Sequence, residues 1–273
     1  MDVQALPYTV YLLLFQAGCG HLFVTLALDA RGKTPRGFVR LGASIAIVCL
    51  GLAVWLAFAL EFVTPIGDYE IHDGLAAAVR GLTIAAAALG LAYAVAAWKG
   101  QSAGGLATGG LASLVGVAAL VVTATLFSPP TWGAPGVALM LIAGSVTLGV
   151  VNMAMSLGHW YLVTPRLSPR PLEELTLLMG LVLLVEAVIL VANLAAPGAV
   201  APATDLPIGQ NPAFWLRIVI GLVFPAVLAY MSWRSAKEGG MMSATGLLYI
   251  AVGAVLVGEV LARALLLATG IAV

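Results

Sequence analysis

A chain of 273 residues with 62% hydrophobic and 9% charged residues cannot clothe a water-facing surface, since soluble domains carry roughly 25% charged residues. The mean hydropathy of +1.08 points the same way, and the excess apolar surface needs lipid. Twelve Lys and Arg balance twelve Asp and Glu, so no net positive charge argues for nucleic acid.

A helix crosses the hydrocarbon core with about 20 apolar residues. The first such run is 8–28. No basic stretch precedes it and no clear small-residue cleavage site follows, so it reads as a spanning helix rather than a signal peptide. The breaker Arg31-Gly32-Lys33-Thr34-Pro35 separates it from the second run, 38–63. Runs at 75–98 and 106–127 follow. Ser128-Pro129-Pro130 then leads to 136–163, and Thr164-Pro165-Arg166 to 172–195. The last two runs, 213–233 and 242–267, flank Glu238-Gly239-Gly240. Lipid offers no partners to free backbone groups, and no alternating ten-residue segments suggest a barrel. The expectation is an all-α integral membrane protein with eight transmembrane helices. Cys19 and Cys49 fall in apolar runs, show no metal-ligand spacing, and read as small buried residues.

Basic residues set the orientation. Nine of the twelve lie in or beside the odd-numbered loops: Arg31, Lys33, Arg36, Arg40, Lys99, Arg166, Arg170, Arg234 and Lys237. Arg80, Arg217 and Arg263 fall inside or at the edge of helices, and no even-numbered loop holds one. The odd loops are therefore expected in the cytoplasm and both termini outside, in a bacterial inner membrane. Asp68, Glu70, Asp73 and Asp205 sit in the even loops, which decides little.

The two halves look alike. Gly20-His21 near the end of the first helix matches Gly158-His159 near the end of the fifth. Arg80 with Tyr93 in the third matches Arg217 with Tyr230 in the seventh, both pairs thirteen residues apart. This suggests a parallel four-plus-four repeat, residues 1–133 and 134–273, within one integrated membrane domain. Glu61 and Glu186 fit the repeat less well, because they stand at different depths.

Ionisable groups inside spanning helices are costly and usually functional or paired. Here they are His21, Glu61, Arg80, His159, Glu186, Arg217, Glu259 and Arg263. Depth along each helix places Glu61, Arg80, Arg217, Glu259 and Arg263 near one level toward the outer face. Glu259 and Arg263 stand four apart and share a helix face. These five are the candidate site, expected to converge on a cavity for an amphipathic head group. The plainer alternative is a set of interfacial ion pairs with snorkelling arginines. His21 and His159 fall in the cytoplasmic half. They are candidates for a shared haem b, a proton path or interhelical hydrogen bonds.

Several stretches resemble a known family. Gly258-Glu259 followed by Arg263 is similar to the Gly-Glu-x-x-x-Arg signature that ends the membrane anchor subunit of DMSO reductase and related molybdoenzymes. Trp215-Leu216-Arg217-Ile218-Val219 resembles that family's Trp-Arg-Ile-Val stretch, and Pro130-Thr131-Trp132 its Pro-Thr-Trp loop. Tyr8-Thr9-Val10 with Gln16 is loosely similar to its first helix. Where the family has a histidine before Ser-Pro, this chain has Glu61 and then Thr64-Pro65; where it has a glutamate entering the third helix, this chain has Arg80.

The resemblance implies a quinol-oxidising anchor that uses menaquinone or ubiquinone. It would pass electrons to an iron–sulfur subunit and a catalytic subunit docked on the outer face. The quinone-binding candidates are then Glu61, Arg80, Arg217, Glu259 and Arg263. Two other classes stay open. A transporter predicts a polar midplane site and broken helices, and Pro225 is the one proline clearly inside a helix. A structural subunit of a larger membrane complex predicts a sealed, ligand-free charged cluster.

Overall fold

The computed structural model describes residues 5–62, 70–100, 103–127, 133–164, 167–196 and 207–273. Thr64-Pro65, Asp68, 128–132, Pro165-Arg166 and Asp205 lie outside them, and with them the Pro-Thr-Trp stretch. Eight helices are long and apolar enough to span a membrane. They are α1 (Leu6–Arg31), α2 (Arg36–Ala59), α3 (Ala76–Lys99), α4 (Ala103–Leu126), α5 (Ala134–Val163), α6 (Arg170–Ala195), α7 (Pro212–Lys237) and α8 (Met241–Thr269). No strand occurs among the described residues, and the fold is all-α membrane protein.

Eight crossings return the chain to the side on which it started. We call this the terminal end and the opposite one the basic end. At the basic end, α1 and α3 stop at Gly32 and Gly100, whose φ angles of 62° and 75° only glycine adopts without strain. Arg31 and Lys99 complement the negative poles of those helices in their last turns.

Within the first half α1 packs on α2, α2 on α3, α3 on α4, and α4 back on α1. The second half repeats the pattern: α5 on α6, α6 on α7, α7 on α8, and α8 on α5. The halves meet through α1 against α5, flanked by α4 against α5 and α8 against α1. Glycine makes this seam. A Cβ on Gly20 would stand 1.7 Å from the Ser145 carbonyl oxygen, and one on Gly149 would stand 2.2 Å from that of Gly20. The two backbones therefore touch, as small residues permit in lipid. Burial follows from this geometry: 78% of the α5 span is inside the bundle against 22% of the span that contains α3.

Helix α7 is not a regular α-helix. Its Val219–Val223 stretch is a π-turn, closed by the Phe224 N–H on the Val219 carbonyl. Pro225 explains it. Proline has no N–H to give and its ring crowds the carbonyl four residues back, so one widened turn absorbs the mismatch without breaking the helix.

Candidate functional site

Four charged side chains meet inside the second half. Arg217 of α7 gives Nη2 to Glu186 Oε2 of α6 at 2.5 Å, and its Nη1 lies 3.2 Å from Glu259 Oε1 of α8. Arg263, one turn along α8, gives Nη2 to Glu259 Oε2 at 2.5 Å. The chain of contacts then reaches α1, because Arg263 Nε donates to Gln16 Oε1 at 2.6 Å. Gln16 Nε2 in turn donates to the Leu141 carbonyl of α5 at 2.7 Å. At the other end, the Thr147 hydroxyl of α5 donates to Glu186 Oε1. Five helices thus share one polar network.

Local sequence makes room for it. Gly144 of α5 presents no side chain; a Cβ there would lie 2.2 Å from both Arg263 Nη2 and Glu259 Oε2. Gly221 and Gly258 let α7 and α8 approach until a Cβ on the first would stand 2.5 Å from the Cα of the second. The π-turn begins two residues after Arg217 and holds Gly221. At about 1.5 Å per residue, the network spans roughly 8–20 Å from the terminal ends of its helices, in the terminal half of the bundle.

Exposure decides what kind of site this is. Arg217 is 2% exposed, Glu186 4%, and Glu259 and Arg263 0%. The side chains are in direct contact with one another, so the expected open head-group cavity is corrected to a closed, ion-paired cluster. With both carboxylates ionised its charge is zero, not the surplus of one that three arginines against two acids would give. Such charges stay buried only when paired on every side. The pairing is incomplete in one respect: Arg217 Nε and Arg263 Nη1 are buried donors with no hydrogen-bond partner among the described residues.

Of the five candidate residues, Arg217, Glu259 and Arg263 come together, and Glu61 and Arg80 stand apart. Arg80 donates from Nε to the Ala57 carbonyl at 2.8 Å and from Nη2 to that of Leu60 at 2.9 Å. It thereby caps the last turn of α2, whose final carbonyls have no helical partners. Its guanidinium also lies 5.5 Å from the centre of the Phe62 ring. Glu61 is exposed, and its backbone carbonyl, not its carboxylate, accepts from Tyr8. Equal depth did not bring the five together, because Glu61 follows α2 and Arg80 lies on α3, and both helices pack in the first half, away from α7 and α8.

Glu186 and Gln16 are the members that the sequence-based candidate set lacks. Glu186 is visible in the sequence as a lone acid in an apolar run, but its poor match to Glu61 hides it. Gln16 is visible only through the resemblance.

The histidines are not equivalent. His21 stands ten residues before the end of α1 and His159 four before the end of α5. At about 1.5 Å per residue the depths differ by roughly 9 Å, more than one helical turn. His21 is buried, with Nδ1 2.7 Å from the Ala17 carbonyl. His159 is exposed on the flank, with Nδ1 3.3 Å from the Tyr249 hydroxyl. The symmetric placement expected for a shared haem b is absent.

No protein-family model matches the chain, and no curated protein matches it in sequence. Among the described residues no group of three or more His, Cys, Asp or Glu is arranged to hold a metal ion.

Proposed function

We propose that this chain is the membrane anchor of a respiratory oxidoreductase complex and exchanges electrons with the quinone pool. One observation carries the reading. The three stretches of the DMSO reductase anchor resemblance that fall on described residues lie far apart in sequence, yet Gln16, Arg217, Glu259 and Arg263, one or more from each, form one contact network. Charged networks of this cost inside a membrane are kept for function more often than for stability.

Arg217 Nε and Arg263 Nη1 are buried donors with no partner among the described residues, and Glu186 and Glu259 are the acids paired with those arginines; a quinone oxygen would reach them only where the closed cluster opens to admit it. The bound quinol would supply two electrons and two protons. The arginines would hold the oxygen end, the two acids would take up the two protons in turn, and the two electrons would pass to the iron–sulfur subunit. On the orientation expected from the basic loops, the network would lie toward the outer face, where an iron–sulfur subunit and a catalytic subunit would dock.

A second reading, a structural subunit of a larger complex, is favoured by the near-complete closure of the cluster. The transporter reading is weaker, since α7 runs continuously through its π-turn and does not unwind. Glu259→Gln separates the first two, because it keeps size and removes charge. In the intact complex the proposal expects quinol oxidation to fall at least about tenfold, the cost of one charge-assisted hydrogen bond, with the amount of folded protein little changed. Unchanged oxidation in a well-folded variant would sink it. Loss of folded protein as the main effect would favour the structural reading.

A further inference from the structure

A groove of about 600 Å³ runs down the outside of the bundle between α1 and α6, with α5 as its floor. Its walls are apolar: Phe23 and Ala27 of α1, Val146 of α5, and Leu178 and Leu181 of α6. Its mouth, at the basic end, is polar. There Arg31 of α1 and Glu174 of α6 form an ion pair, with side chains 57% and 41% exposed.

The neighbour pattern gives this groove a counterpart. The place between α1 and α6 corresponds, in the other half, to that between α5 and α2, which aromatic rings close at the basic end. Phe38 of α2 and Trp160 of α5 meet there edge to face, with ring centres 6.0 Å apart, and Gly37 lies against Trp160. The one is closed there by aromatic rings, and the other is an open groove.

We propose that the open groove is a binding site for one phospholipid with a phosphate-and-ammonium head group of the ethanolamine type. The depth fits a single leaflet. From Arg31 to Phe23 is eight residues, roughly 12 Å at 1.5 Å per residue, against about 15 Å for half of the hydrocarbon core. One acyl chain therefore lies in the groove from mouth to floor. The mouth fits the head group by charge. Arg31 pairs with the phosphate, and Glu174 accepts hydrogen bonds from the primary ammonium. A lone anionic head group would meet Glu174 as a like charge, and a choline head group has no N–H to donate to it. The site stands at the opposite end of the bundle from the charged cluster and does not depend on the quinone reading.

The test uses purified full-length protein exchanged into mixed vesicles of phosphatidylethanolamine, phosphatidylcholine and phosphatidylglycerol, then released for native mass spectrometry. One phosphatidylethanolamine should stay bound, about tenfold in preference to phosphatidylcholine, the worth of one charge-assisted hydrogen bond. Ala27→Trp should abolish retention by filling the groove. Leu178→Trp, from the facing wall, should do the same, so that both results stand even if one variant folds poorly. Glu174→Gln should erase the preference for ethanolamine while leaving some lipid bound. Equal retention of all three lipids, retention unaffected by both tryptophans, or recovery of an isoprenoid quinone in place of the lipid would each overturn the proposal.

Discussion

Arg217 is the residue on which the buried network turns, since among the described residues it alone pairs with the acids of two other helices. Replacing it by leucine leaves Glu186 without its counter-charge, and breaking a buried pair on one side costs about 3–5 kcal/mol. The double change Glu186→Leu with Arg217→Leu leaves the Glu259–Arg263 pair balanced. We therefore expect the double variant to melt at a higher temperature in detergent than Arg217→Leu alone. A double variant at least as damaged as the single one would show that packing, not charge balance, governs the site. The charge pattern of this cluster was partly legible in the sequence. Glu259 and Arg263 announce themselves by their four-residue spacing, and Arg217 by standing in an apolar run. Glu61 and Arg80 read alike with them because a sequence yields depth along a helix but not which helices are neighbours. Arg80 serves the carbonyls of α2 instead. Glu186 stays outside that group because its counterpart by position, Glu61, stands at a different depth, and only packing shows that it faces Arg217.

At the scale of the helix, spans are written in composition and interfaces are not. Every expected run overlaps its helix closely, as 136–163 does α5 (Ala134–Val163) and 172–195 does α6 (Arg170–Ala195). The reason is that lipid imposes one rule, unbroken backbone pairing over an apolar stretch. The π-turn in α7 was foreshadowed only as a proline inside a helix, and proline alone does not say whether a helix breaks, kinks or widens. Glycine is equally ambiguous, and α8 holds a clean comparison. A Cβ on Gly258 would stand 2.3 Å from the Cα of Gly221, while one on Gly253 meets nothing within 4 Å. Gly258→Ala should lower stability by about 1–3 kcal/mol, the range for overpacking. Gly253→Ala should be neutral or slightly stabilising, since alanine favours the helix. Chemical unfolding in mixed micelles reads both, and equal effects would mean that α7 and α8 do not approach as closely as described.

For the molecule as a whole, each set of four helices closes on itself in the same neighbour order, whereas His21 and His159, the residues that suggest a repeat in the sequence, do not match in depth or burial. The likeness is in how the helices pack, and the motif pairs are only loosely in step with it. Topology remains the property that most of the functional reading hangs on. Reporter fusions joined at Arg36 or Arg170 should show those points in the cytoplasm, and fusions at either terminus should show it outside. Activity of an externally active reporter at Arg36 would invert the bundle, moving the charged cluster to the inner leaflet and the lipid groove to the outer one.

The distribution of charge among α6, α7 and α8 also bears on how the protein is made. If α6 and α7 enter the bilayer as a hairpin, Glu186 and Arg217 bring opposite charges that can meet across it. Helix α8 arrives with Glu259 and Arg263 one turn apart and already paired. Each unit handed to the insertion machinery thus carries its own neutralisation, and none must wait in lipid with a lone charge costing roughly 2.5–3.5 kcal/mol. Helix α8 grafted alone into a test protein should therefore integrate as a spanning segment, and Arg263→Leu, which strips Glu259 of its partner within the helix, should lower the integrated fraction despite making the segment more apolar. The final network is in this sense assembled from parts that are each permissible before the others exist.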